Sequence, residues 1–150
     1  MLPTSGPCIN IANRFTKLTC LSSKQLFSTS PCLGELMLLS RVRVIDNSPV
    51  GKAAANAGKP AKIIHVYNRT SIGKIGDKVL VAIMGEKKKG YIVGCRQKQQ
   101  PNVPRFDTNN VVLIEENGNP SGTRIKNPIP SCLRGNDDFT KIISIATRFV

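Results

Sequence analysis

Residues 77–95, DKVLVAIMGEKKKGYIVGC, decide the fold. Two short runs rich in Val, Ile and Leu, Asp77–Met84 and Gly90–Cys95, flank a glycine and three lysines. Short β-branched runs cut by Gly read as neighbouring strands. The intervening Gly85–Lys89 reads as their turn, with Lys87, Lys88 and Lys89 at the hairpin tip.

The same texture extends to both sides. Leu36–Ile45 (LMLLSRVRVI) is a first strand that stops at the turn signal Asp46-Asn47-Ser48-Pro49. Within it Arg41 and Arg43 alternate with Val42 and Val44, which gives one basic and one apolar face. Val50–Pro60 reads as a Gly/Ala/Lys-rich loop, Ala61–Tyr67 as a second strand and Asn68–Lys74 as a loop. After Cys95 come a polar loop, Arg96–Pro104, and a fifth strand, Asn110–Glu115. Five such strands predict a mainly β fold, a small closed five-stranded antiparallel barrel. Closure removes the exposed edges that strands this apolar cannot tolerate.

Beyond Glu116 the pattern changes. Asn117–Pro130 is a loop, and Ser131–Arg134 and Asp138–Thr147 read as short helices. In the second, Phe139, Ile142, Ile143 and Ala146 fall at helical spacing and would cap the barrel, with Lys141 pointing outward. A terminal strand over Ile142–Ile145 is the alternative.

Charge narrows the function. The chain carries 22 Lys and Arg against 9 acidic residues, a net +13. So basic a protein seeks a polyanion: RNA, DNA or an anionic membrane face. Residues 1–35 are acid-poor and hydroxyl-rich, with Arg14, Lys17 and Lys24 against Glu35 alone. They read as a mitochondrial transit peptide, the alternative being a basic arm retained on the mature protein. Without them 19 basic and 8 acidic residues remain in 36–150, so the body keeps its strong positive charge. The longest apolar run, Val79–Met84, is too short to span a bilayer.

Catalytic patterns are scarce. The single histidine, His65, lies within an apolar strand. Cys95 would need a partner base to act as a nucleophile, and a buried thiol is the better reading. Cys8, Cys20, Cys32, Cys95 and Cys132 include no close pair of zinc-ligand spacing, and their odd number fits a reducing compartment. Asp107, Glu115 and Glu116 are the remaining carboxylate candidates, but adjacent Glu115 and Glu116 would face opposite sides of a strand. No catalytic residue, metal, cofactor or small-molecule substrate is expected.

The candidate RNA contacts are Arg41, Arg43, Lys52, the triplet Lys87–Lys89, Arg96, Lys98, Arg105, and Lys126 beside Arg124. Ammonium groups neutralise phosphates as point charges, whereas guanidinium groups bridge two oxygens. A solvated turn is the alternative for the lysine triplet. Tyr67, Tyr91 and Phe106 are too few for a base-stacking platform. The expected mode is recognition of folded RNA by shape and backbone.

Several blocks stand in order: Arg43–Ser48 (RVIDNS), Gly73–Asp77 (GKIGD), Lys87–Val93 (KKKGYIV), Arg105–Ile114 (RFDTNNVVLI), Gly118–Pro130 (GNPSGTRIKNPIP) and Lys141–Ala146 (KIISIA). The set resembles large-subunit ribosomal protein fourteen, the universal uL-fourteen family, in its mitochondrial form, over about residues 37–150. The resemblance implies a five-stranded barrel with small C-terminal helices, and a place in the large ribosomal subunit of the mitochondrial matrix. Its implied partners are large-subunit rRNA, neighbouring large-subunit proteins, small-subunit rRNA at the intersubunit bridge, and a ribosome silencing factor. Thr123, Arg124 and Lys141 match the family positions that dock this factor. Departures are Pro49 in place of a family glycine, a divergent Val50–Pro60 expected to order only on RNA, a shortened basic hairpin at Glu86–Gly90, and a Gln-rich Arg96–Gln100. A free RNA-binding regulator with a similar barrel is the other function class.

Overall fold

The hairpin forms with a tighter turn than the sequence suggests. In the computed structural model, which describes residues 36–96, 101 and 104–150, β3 is Lys78–Ile83 and β4 is Glu86–Gly94. Only Met84 and Gly85 connect them, with φ of 50° and 86°. Positive φ at both positions belongs to the two-residue hairpin turn whose twist matches that of the strands. The ladder starts at once with Ile83 opposite Glu86. The expected Gly85–Lys89 turn is therefore corrected, because the lysines belong to β4 and the tip is Met84-Gly85.

The other strands are β1 (Arg41–Val44), β2 (Ala61–Val66) and β5 (Asn110–Ile114). Their order in the closed barrel is β1-β2-β3-β4-β5. Four of the pairings are antiparallel, but β1 closes on β5 in parallel, with Arg43 opposite Asn110 and Val44 opposite Val111. The first strand is shorter than Leu36–Ile45. Leu36 instead bridges Gly73, and a turn at Met37–Ser40, with Leu39 at φ 65°, leads into Arg41.

Two apolar clusters explain the burial of β5 on both faces. Val42, Ile63, Val79, Val81, Ile92, Val111 and Leu113 fill the barrel interior. Val93 and Val112 join a second cluster with Ile125, Ile129, Leu133, Phe139 and Ile142. A strand covered on both sides reads as a continuous apolar run without alternation, as Asn110–Ile114 does. The C-terminal helices thus pack with residues of β4 and β5 in a core of their own. They are 3₁₀ turns at Ser131–Gly135 and Asp137–Phe139, followed by one α-helical turn and a half, α2 (Thr140–Ser144). The helix is shorter than the expected Asp138–Thr147. The last residues pair alongside Ile125–Ser131 instead, through Ile129 N–H to the Arg148 carbonyl and Val150 N–H to the Ile129 carbonyl, both 3.0 Å.

The largest departure is Val50–Pro60, which is not a loop. Pro49–Asn56 forms the helix α1. Ser48 caps it, its Oγ accepting from Gly51 N–H at 3.2 Å, and Pro49 occupies the first turn, where a missing N–H costs nothing. Ser-Pro followed by an alanine-rich run was the overlooked helix start signal.

Candidate nucleic-acid interface

The candidate site is built on a buried carboxylate that no charge pattern announces. Asp46 is 7% exposed. Its Oδ1 accepts from Ser48 Oγ–H at 2.6 Å, and its Oδ2 accepts from Leu113 N–H at 3.1 Å. The second bond stands in for a backbone carbonyl where β1 has already ended. Burial pushes the Asp46 carboxyl above its ordinary value, with the bonds from Ser48 and Leu113 pulling the other way. Asp46 therefore ties the capping serine of α1 to the end of β5.

This tie seats α1 beside β1. At Gly51 an added Cβ would lie 2.8 Å from Val44 Cγ1 and from Ser48 Oγ, so helix and strand touch there through glycine. Two clefts border the contact. The larger, about 550 Å³, carries Arg41, Arg43, Lys59 and Arg96 with Asp107 as its one carboxylate. The smaller, about 210 Å³, carries Lys52 and Lys126 and shares Arg43, Val44, Gly51 and Ala55 with the first. Arg41, Arg43, Lys52, Arg96 and Lys126 of the expected RNA contacts are thus drawn into one basic belt around α1. Asp46 also lines the smaller cleft, but its carboxylate is committed to the bonds above.

The belt continues across the barrel wall. Arg41 stands opposite Lys62, Lys62 opposite Ala82, and Ala82 opposite Lys87. Like charges on facing strands repel, and a polyanion laid across them relieves the repulsion. Lys59 and Lys62 were missed as candidates. The alternation around Ile63 marks Lys62 as outward, but only the register places it beside Arg41.

The lysine triplet is split. Alternation along β4 puts Lys87 and Lys89 on one side and Lys88 on the other. Lys88 lies 3.3 Å from Glu86, a solvent-exposed pair worth little in itself. Lys89 is half-buried, opposite Leu80 and Ile114. Arg105 is exposed in the segment before β5 and does not line either cleft. Lys98 lies outside the described residues.

Thr123, Arg124 and Lys141 are all exposed and hang on buried neighbours. Gly122 is buried against the Asp46 turn, where a Cβ would meet Asp46 Cβ at 2.6 Å and Asn47 N at 2.8 Å. That contact positions Thr123, whose Oγ1 accepts from Asn47 Nδ2 at 3.4 Å. Arg124 follows, directed outward beside the fully buried Ile125. Lys141 Nζ donates to Asn119 Oδ1 at 2.7 Å, beside the buried Ile142.

Among the described residues no catalytic geometry is assembled. Burial pushes the Cys95 thiol up to about 12, with Asp77 adding to the shift, so it is neutral and unreactive near neutral pH. His65 is exposed at a β-bulge, edge-on to Tyr67 at 5.1 Å. Among the described residues no three His, Cys, Asp or Glu side chains gather as metal ligands, and no helix is long and apolar enough to cross a membrane.

The chain is similar to known proteins over most of its length. The family model described as ribosomal protein L14p/L23e matches residues 36–150. The large ribosomal subunit protein uL14m of Danio rerio is 50% identical over 131 residues, which cover 87% of this chain and 92% of that relative.

Proposed function

The chain belongs to the ribosomal protein L14p/L23e family, and on that premise we propose that its basic belt binds large-subunit rRNA through the phosphate backbone. It is a structural constituent of the mitochondrial large ribosomal subunit and not an enzyme. Its partners are rRNA and other ribosomal proteins.

The observation that carries the RNA assignment is the convergence of Arg41, Arg43, Lys52, Arg96 and Lys126 along two adjoining clefts. These residues come from β1, α1, the end of β4 and the segment before α2, and no fold requirement brings five cations together. Phosphate contacts of this kind position a protein on RNA without reading its sequence. Lys87 extends the contact across the wall, and Lys89 and Arg105 are peripheral to it. The protein neighbours fit the run Met37, Leu38 and Leu39, which is apolar and 46–74% exposed.

The C-terminal face serves a different partner. Thr123, Arg124 and Lys141 dock a ribosome silencing factor, and the same face contributes to the bridge with small-subunit rRNA. The support is that all three are exposed beside the buried Gly122, Ile125 and Ile142 and that none of them lines either cleft, Thr123 meeting the smaller one only through Asn47. Residues 1–35 act as the mitochondrial transit peptide. Their acid-poor composition supports this, as does a family match that starts at residue 36.

The test is sedimentation of tagged protein from mitochondrial lysate at low and high salt, with N-terminal sequencing of the recovered chain. Comigration with the large subunit at both salts, from a start between about residues 20 and 40, is expected for a built-in component with a removed leader. In binding to rRNA fragments, Arg41→Gln with Arg43→Gln should lower the slope of log affinity against log salt by about 0.7–0.9 per lost phosphate contact. Lys88→Ala should change it least. Recovery in light fractions with Met1 intact would favour a free RNA-binding factor.

A further inference from the structure

We infer that the larger cleft between α1 and β1 takes one unpaired nucleotide of RNA, its base turned out of the helix. The inference rests on the RNA-binding reading and specifies what one part of the belt recognises.

A phosphate backbone lying on a protein needs a charged surface and no cavity. This cleft is an open groove of about 550 Å³, comparable in volume with the clefts of about 300–1,000 Å³ that take small ligands. Its walls include Val42, Val44, Ala54 and Ala61, and aliphatic carbon offers a phosphate nothing. A nucleobase, by contrast, gains by leaving water for an apolar slot beside a guanidinium plane, which is how single-stranded bases are held in the absence of aromatic rings. Arg41, Arg43 and Lys59 meet the nucleotide's phosphates.

The polar end of the cleft fits a base edge. Asp107 repels phosphate, but its carboxylate accepts hydrogen bonds from ring or exocyclic N–H groups. Beside it, Asn109 Oδ1 already accepts from Arg96 N–H at 2.9 Å, which leaves its NH₂ to donate. An acceptor and a donor side by side match the mixed edge of a base. The fold also fixes the walls of the slot. The Ser48 cap and the Gly51 contact pin the start of α1 against β1, and the cleft lies along the later turns, Ala54 to Gly58.

The experiment compares binding of the full chain to an RNA hairpin with a single bulged 2-aminopurine and to the same hairpin without the bulge. The bulged hairpin is expected to bind about tenfold tighter, as stacking one base on protein typically contributes, and its emission to rise as the base leaves the RNA stack. Pro60→Phe, at an exposed position that lines the larger cleft and not the smaller, should erase both effects while the unbulged hairpin still binds, which also reports a folded chain. Asp107→Ala should lower the preference without weakening the unbulged hairpin. Equal, salt-sensitive binding of the two hairpins overturns the cleft assignment and leaves the RNA reading standing. Binding of neither overturns both. A preference that survives Asp107→Ala and Pro60→Phe alike places the base elsewhere and overturns the assignment as well.

Discussion

Asp46→Ala should destabilise the fold by about 2–3 kcal/mol, although the residue touches neither RNA nor a partner in the reading above. Two buried hydrogen bonds of ordinary length end on its carboxylate, from Ser48 Oγ at 2.6 Å and Leu113 N at 3.1 Å, with a longer one from Ser48 N at 3.4 Å. Removing the acceptor leaves the Leu113 N–H buried in the sheet without a partner, a cost of about 1–3 kcal/mol. Loss of the Ser48 anchor adds about 0.5–1.5 kcal/mol, as for a neutral hydrogen bond. Relief from burying the charge offsets part of this, which places the estimate below the sum. At about 4 °C per kcal/mol for a domain of this size, the midpoint should fall by about 10 °C.

Urea unfolding followed by circular dichroism measures the effect. A loss below about 0.5 kcal/mol, the scale of ordinary surface changes, would refute the role assigned to Asp46. Asp46→Asn separates charge from shape. Because burial raises the folded-state pKa of Asp46, the native chain holds the proton more tightly than the unfolded one. The contribution from that proton is fully present below the ordinary value of 3.8 and is lost as pH rises through the raised folded value. The stability margin of the natural chain over Asp46→Asn should therefore shrink as pH rises across that window. A margin that grows with pH would mean the hydrogen bonds outweigh burial.

Two further outcomes are expected. Mass-spectrometric mapping after alkylation of the native chain near pH 8 should find Cys132, which is exposed, modified and Cys95 protected until denaturant is added. Early labelling of Cys95 would show that the barrel opens more readily than its packing implies. If Arg124 docks the silencing factor as proposed, the charge reversal Arg124→Glu should reduce capture of that factor by tenfold or more, about 1.4 kcal/mol per tenfold. Incorporation into the large subunit should hold. Loss of incorporation with capture intact would assign Arg124 to RNA.

The sequence by itself determined the barrel, because strands of four to nine residues rich in Val, Ile and Leu, with no continuous core-forming helix, can bury both sheet surfaces only by closing. It determined the basic character, and the ordered blocks from Arg43–Ser48 to Lys141–Ala146 determined the family. Cys95 was legible as a buried thiol from the apolar strand that carries it. Ser48-Pro49 was legible in principle as a helix start, but Gly51 and the Lys/Gly-rich tail of the segment outweighed it in a local reading. Lys87–Lys89 misled for the same reason: consecutive lysines look like a loop, yet a strand at a barrel's open end tolerates them because its side chains there reach water.

Only the tertiary structure decided which cations meet. Arg41 and Lys126 are far apart in the chain, and nothing in either neighbourhood implies the other. They share a belt because Asp46 reaches Leu113 of β5 over 67 positions and seats α1, while the Asp46 backbone bridges Ile125 beside Lys126. Local pattern records which face a residue occupies. It does not record which distant face will lie beside it, since that depends on strand register and on buried polar bonds formed only once the chain has closed.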